Sequence, residues 1–266
     1  MLAGVPHVSV NGIEIYHEIH GEGEPLLCVM GLAADTQSWL LQLGEFSARF
    51  QTVIFDNRDV GRSGYVGGSY EVADMAADAL GLADALGLER FHLLGVSMGG
   101  AIAQELALAA PERVRRLTLA VTYAGGGAWA QEKSRLWGAE AMRATREEHI
   151  DGLLLNTLSE AFYENPDAVA YTRQLMLANP NPQRPEGFVR QLDASGRHET
   201  RDRIGALRMP VHVIGAEHDV LVPAWKAREL AELIPGARLT VIPAAPHGVQ
   251  VERAQEFNAA VLGFLD

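Results

Sequence analysis

The chain has 266 residues, enough at roughly 150 residues per domain for one large domain or two small ones. Apolar residues make up 48% and charged residues 21%, a globular mix that excludes a disordered chain. The formal charge of −12 and the lack of a basic run exclude phosphate backbones and anionic membranes as expected partners. The single cysteine, Cys28, excludes an intramolecular disulfide or a cysteine-based zinc site and reads as a small buried hydrophobe. Met1 to Val10 lack a basic start followed by an apolar stretch, and no run approaches the roughly 18 apolar residues of a membrane span. A soluble, cytoplasmic protein is expected.

In chain order, Val8 and Val10, the turn pair Asn11-Gly12, and then Ile13, Ile15 and Ile19 predict a β-hairpin with a type I′ turn. After Gly21 to Pro25 the pattern changes to short unbroken apolar runs: Leu26–Met30, Thr52–Phe55, Phe91–Leu94, Leu117–Val121, Val211–Ile214 and Leu239–Ile242. Such runs, alternating with helix-length segments, predict a parallel sheet covered on both faces. In Val72–Leu86 the apolar positions 72, 75, 76, 79, 83 and 86 recur at helical spacing, with Asp74, Asp78 and Asp84 off that stripe and Gly87 closing the helix. Further helices are predicted over Met98–Ala110, Ala224–Leu233 and Arg253–Leu265. From about Ala124 to Gly205 no strand is evident. This stretch, which holds Gly125-Gly126-Gly127 and Asn179-Pro180-Asn181-Pro182, reads as a helical insertion over the carboxyl edge of the sheet, where ligands of open α/β sheets bind.

The sharpest chemical signal is Gly95-Val96-Ser97-Met98-Gly99-Gly100, between a predicted strand and a predicted helix. A serine in so tight a turn needs neighbours without side chains, which Gly95 and Gly99 supply. The turn lifts the Ser97 hydroxyl above the sheet and puts the Met98 N–H where an oxyanion can form, at the positive end of the following helix. A packing turn would read the same in isolation. A serine hydroxyl needs a base, and the base needs an orienting group. Of nine histidines, His17, His20, His92, His212, His149 and His198 fall in the hairpin, strands or insertion, whereas His247 follows the last strand in the turn-rich Pro243-Ala244-Ala245-Pro246-His247-Gly248. For the acid, Gly215-Ala216-Glu217-His218-Asp219 leaves the preceding strand at the same edge; Asp219 and Glu217 compete, with Asp219 favoured.

The order Ser97, Asp219, His247 is the chain order of the α/β-hydrolase triad. From His17 to the Phe257–Leu265 tail, with the insertion set aside, the chain resembles that superfamily. The resemblance implies an α/β-hydrolase fold: a mostly parallel eight-stranded sheet flanked by helices, with core residues 1–123 and 206–266 and a helical cap at 124–205. It also implies a second oxyanion donor, the backbone N–H of Leu32, although Met30-Gly31-Leu32 stands where the family usually has His-Gly. Asp56-Asn57-Arg58-Asp59-Val60-Gly61-Arg62-Ser63 is similar to the family's Asp-x-Arg-Gly-x-Gly-x-Ser, with Asp59 where glycine is common, and Asp56 and Arg58 read as a structural network. Pro246 and Ala216 replace glycines often found before the histidine and in the acid loop.

The Met-Gly loop and the Asp-Asn-Arg-Asp motif resemble the serine esterase and lactonase branch with aclacinomycin methylesterase-like and 3-oxoadipate enol-lactonase-like proteins. This implies a serine hydrolase of a small carboxylic ester or lactone, with no cofactor and no metal. Carbon–carbon bond hydrolysis of a β-diketone-type substrate and a non-catalytic ligand receptor are the alternatives. A nucleotide site is disfavoured because no Gly-x-Gly-x-x-Gly or P-loop Gly-Lys-Ser/Thr is present, and a haloalkane dehalogenase because Ser97 stands where such enzymes place Asp. Tyr123, Trp129, Trp137, Leu221 and Val222 are expected either to line an apolar pocket or to pin the insertion to the core.

Overall fold

A computed structural model describes residues 6–266; the first five, part of the stretch read as lacking a leader, lie outside the described residues. Strand β1 (His7–Val10) turns into β2 (Ile13–His20) through Asn11 (φ 50°) and Gly12 (φ 82°), with Val10 opposite Ile13. Two consecutive positive φ angles in a two-residue loop are what a type I′ turn requires. Ile19, part of the alternating apolar pattern, is 42% exposed and lies beyond the hairpin pairing, opposite Val53 of the strand Phe50–Phe55.

The remaining strands alternate with helices: β3 (Glu24–Val29), α1 (Leu40–Phe46), β4 (Phe50–Phe55), α2 (Val72–Ala85), β5 (Phe91–Val96), α3 (Met98–Ala109) and β6 (Val114–Ala120). Five helices follow without a strand: α4 (Gly127–Ala141), α5 (Arg146–Thr157), α6 (Glu160–Tyr163), α7 (Pro166–Ala178) and α8 (Pro185–Arg197). The chain then returns through β7 (Val211–Ala216), α9 (Ala224–Leu233), β8 (Arg238–Ile242), α10 (Val249–Glu252) and α11 (Ala254–Leu265). The eight strands lie in the order β1-β2-β4-β3-β5-β6-β7-β8. The pairs β1–β2 and β2–β4 are antiparallel and all others parallel. This is the α/β-hydrolase fold.

Successive strand residues serve opposite faces, as the two-residue period of a pleated strand demands. Leu27 and Val29 enter a core with α2, α3 and α9, whereas Leu26 and Cys28 enter a second core with α1 and α11. Burying both faces explains why these strands read as unbroken apolar runs; each fully buried leucine contributes about 1.5–3 kcal/mol. Cys28 is fully buried, and burial pushes its thiol pKa up, so it behaves as a small apolar side chain. No helix of the described residues is long and apolar enough to cross a membrane.

On α2 the expected apolar positions Val72, Met75, Ala76, Ala79 and Ala83 are buried, but Asp78, read as off the buried stripe, is buried too. The reason is electrostatic. Arg58 forms two bonds to its carboxylate, Nε to Oδ2 at 2.6 Å and Nη2 to Oδ1 at 2.8 Å, and Asn11 Nδ2 donates to Oδ1 at 3.0 Å. A buried carboxylate is tolerated when paired and hydrogen-bonded in this way.

Candidate active site

β5 ends at Val96 and α3 starts at Met98, leaving Ser97 alone in the connection with φ 56° and ψ −122°. A non-glycine residue there stores about 1–3 kcal/mol of backbone strain, held in place by its surroundings. Ser97 N–H donates to Ala120 O on β6 at 2.9 Å, and Gly100 N–H to Ser97 O at 2.8 Å. A Cβ on Gly95 would lie 2.3 Å from Gly99 O, and one on Gly99 would lie 2.1 Å from Val29 O. The two glycines let strand, turn and helix close up beneath the serine.

The structure brings Ser97, His247 and Asp219 into one hydrogen-bonded line. His247 Nδ1 lies 2.7 Å from Asp219 Oδ2, and its Nε2 lies 2.9 Å from Ser97 Oγ. Asp219 is buried, and its Oδ1 accepts the N–H groups of Leu221 and Val222, both at 2.8 Å. Leu221 and Val222 thus meet the site through their backbone, fixing the acid. A carboxylate can only accept, so the proton of the ring sits on Nδ1 and Nε2 accepts from the Ser97 hydroxyl.

Glu217, the competing acid, is exposed and accepts the Ala244 N–H at 2.9 Å instead of reaching His247. With His218 N–H donating to Ala245 O at 2.8 Å, that contact ties the acid loop to the histidine loop. His218 is exposed.

Met98 opens α3 with its N–H at the positive end of the helix, and Leu32 follows Gly31 in the loop after β3. A Cβ on Gly31 would lie 3.0 Å from Ser97 Cβ and 3.5 Å from Oγ, so this loop runs directly beside the serine. Two side chains that are not among the sequence candidates for the site hold it. Asn57 Nδ2 donates to Met30 O at 2.9 Å, and Gln191 Oε1, on α8, accepts the Ala33 N–H at 3.3 Å. Asn57 at least lies inside the recognisable 56–63 motif; Gln191 is one polar residue among many on α8.

Asp56 and Arg58 stand away from the Ser–His–Asp line. Asp56 accepts the N–H groups of Thr36 (2.7 Å) and Arg62 (2.8 Å), and burial pushes its pKa up. Of the expected pocket aromatics, Tyr123 donates its hydroxyl to Ser195 O at 2.9 Å, which pins the loop after β6 to α8. Trp137 meets Phe188 edge-on at 5.4 Å between centroids. Together with Leu153 it packs against the cluster that also touches Leu32. Among the described residues, no group of three or more His, Cys, Asp or Glu is arranged to hold a metal ion.

Comparison with known proteins agrees with this architecture. A curated relative from Azorhizobium caulinodans, named as a carbamate hydrolase, RutD, is 28% identical over 260 residues, covering 98% of both chains. The crystal structure of the enol-lactonase from Burkholderia xenovorans LB400 is 28% identical with a TM-score of 0.89, covering 98% of this chain and 99% of that one. A thermophilic esterase from Thermogutta terrifontis is 27% identical with a TM-score of 0.86, covering 97% of each. The profile of the alpha/beta hydrolase fold family matches residues 24–254, and the chain belongs to that family of hydrolases.

Proposed function

We propose that the protein hydrolyses a carboxylic ester or lactone through an acyl-enzyme. The observation that carries this reading is the unbroken line from Asp219 through His247 to a serine raised on a strained turn. Ser97 Oγ attacks the carbonyl carbon while His247 Nε2 takes its proton. Asp219 keeps the imidazole oriented and stabilises its protonated form. The N–H groups of Leu32 and Met98 hold the oxyanion, where one donor is worth about 10² to 10³ in rate. His247 then protonates the leaving alkoxide, and water, deprotonated by His247, releases the acid. Residues 124–205 act as a cap over core residues 1–123 and 206–266.

The similarity to a protein named for carbamate hydrolysis supports a second reading, since a carbamate presents the same carbonyl with a nitrogen on one side. A panel of aryl esters, γ-lactones and aryl carbamates assayed with the wild type and Ser97→Ala separates the readings. Steady turnover of esters or lactones, abolished in Ser97→Ala with the fold intact, is expected. Wild-type hydrolysis rates in Ser97→Ala would sink the mechanism.

A further inference from the structure

Between α4 and α5 lies a cavity of about 410 Å³ lined by Trp129, Lys133, Leu136, Trp137, Gly152 and Asn156. Three links connect its walls to the candidate site. Trp137, with Phe188 and Leu153, packs in the cluster that contacts Leu32. The last residue of α5, Thr157, accepts the N–H of Gly248, the neighbour of His247, at 2.7 Å. Lys133 stands within electrostatic reach of Asp219, whose negative charge favours its protonated form. The walls of the groove are therefore tied to the oxyanion loop through Trp137 and to the histidine loop through α5, with Lys133 in electrostatic reach of the acid.

Lys133 is the feature of this groove that no part of the mechanism uses. Its side chain is half-buried, with Nζ 5.0 Å from the centre of the Trp129 ring, and no carboxylate of the described residues comes within ion-pair distance. Partial burial pulls its pKa below the usual lysine value, the signature of an ammonium with too little water and no counter-ion at contact. The neighbouring acids do not serve it. Glu132 is held by Arg135 at 2.6 Å, and Asp219 is committed to His247 and two backbone amides. Glu140, also on the groove wall, is seven residues further along α4, about 10 Å at 1.5 Å per residue.

We propose that Lys133 is the specificity-determining cation of the groove, and that the substrate is an ester or lactone bearing one free carboxylate, which pairs with Lys133 Nζ while its apolar body lies along Trp129, Leu136 and Trp137. This rests on the hydrolytic reading above and narrows its substrate class. Glu140 and the overall charge of −12 act against a second carboxylate. A charge-assisted bond in a partly desolvated site discriminates by about tenfold or more.

The test compares mono(4-nitrophenyl) adipate with its methyl-capped counterpart, in the wild type, Lys133→Met and Lys133→Arg. The wild type is expected to favour the free carboxylate at least tenfold in kcat/KM, chiefly through KM. Lys133→Met should lose that preference and Lys133→Arg should keep part of it. Equal preference in wild type and Lys133→Met overturns the proposal. A second measurement needs no turnover: 4-phenylbutyrate binding, followed by tryptophan fluorescence, should weaken about tenfold in Lys133→Met, and unchanged binding also overturns it. Carboxylate binding that depends on Lys133, without hydrolysis of either ester, would uphold the groove assignment and sink the hydrolytic reading alone.

Discussion

Arg190 on α8 closes on the carboxylate of Asp59 through two bonds, Nε to Oδ2 at 2.7 Å and Nη2 to Oδ1 at 2.9 Å. Asp59 is fully buried in the loop after β4, holds φ 66°, and takes a further N–H from Val66 at 2.9 Å. Removing one partner of a buried pair leaves an uncompensated charge, whereas removing both leaves none. Arg190→Ala is therefore expected to cost about 2–3 kcal/mol in urea unfolding, less than for a fully buried pair because Arg190 is partly solvated. Adding Asp59→Gly should recover about half of that, since glycine accepts the positive φ without strain. A double variant less stable than Arg190→Ala would show that the pair contributes more than the relief of a stranded charge.

Gly31 gives a sharper test of the oxyanion loop. An added methyl would press on Ser97 Cβ at 3.0 Å and Val96 O at 3.1 Å, so the loop and the serine turn must part by a few tenths of an ångström. Gly31→Ala should lower kcat about 10²-fold by displacing the Leu32 amide while changing the unfolding midpoint little. Wild-type kcat in that variant would remove Leu32 from the oxyanion role.

The parts of the fold legible in the sequence are those fixed by local rules. The turn at Asn11-Gly12 needs two positive φ angles, strand centres buried on both faces exclude unpaired charges, and the serine turn excludes Cβ atoms at positions 95 and 99. The same rules explain why His247 and Asp219 are legible as candidates: each follows a strand at the carboxyl edge. What local rules miss are partners chosen across the chain. Asp59 looks like a departure from a glycine pattern until Arg190, 131 residues away, supplies its counter-charge. Asp78 looks like a solvated helix residue until Arg58 buries it. Lys133 has no mark at all in a helix that also carries Glu132 and Arg135, because its meaning lies in which groups fail to reach it.

The two acids of the loop after β7 separate by their partners. Asp219→Asn keeps the shape but removes the acceptor-only group that sets the His247 tautomer, and a loss of about 10⁴ in kcat is expected by analogy with serine proteases. Glu217→Gln retains an oxygen for the Ala244 N–H and should stay within about twofold of wild type. The reverse ranking would transfer the orienting role to Glu217.

Two buried histidines outside the site set an acid limit on stability. Burial first, and then the nearby charges of Arg203 and Arg238, pull His198 and His212 down to about 4 from 6.5. Glu105 Oε1 lies 3.6 Å from His198 Nδ1 and would oppose this, but Arg203 engages that carboxylate through two bonds and cancels its pull. Unfolded, both rings take up a proton near pH 6.5; folded, they stay neutral until about pH 4. Their contribution is fully present above pH 6.5, falls as the pH drops below it, and levels off near pH 4, since the unfolded chain binds more protons throughout that window. A tenfold change in proton affinity corresponds to about 1.4 kcal/mol, so each ring contributes roughly 3 kcal/mol across the window. Urea unfolding at pH 7, 5.5 and 4.5 should show this decline, with a shallower slope in His198→Gln, whose side chain is neutral in both states. A His198 ring proton signal that titrates near pH 6.5 in the folded protein would contradict the argument.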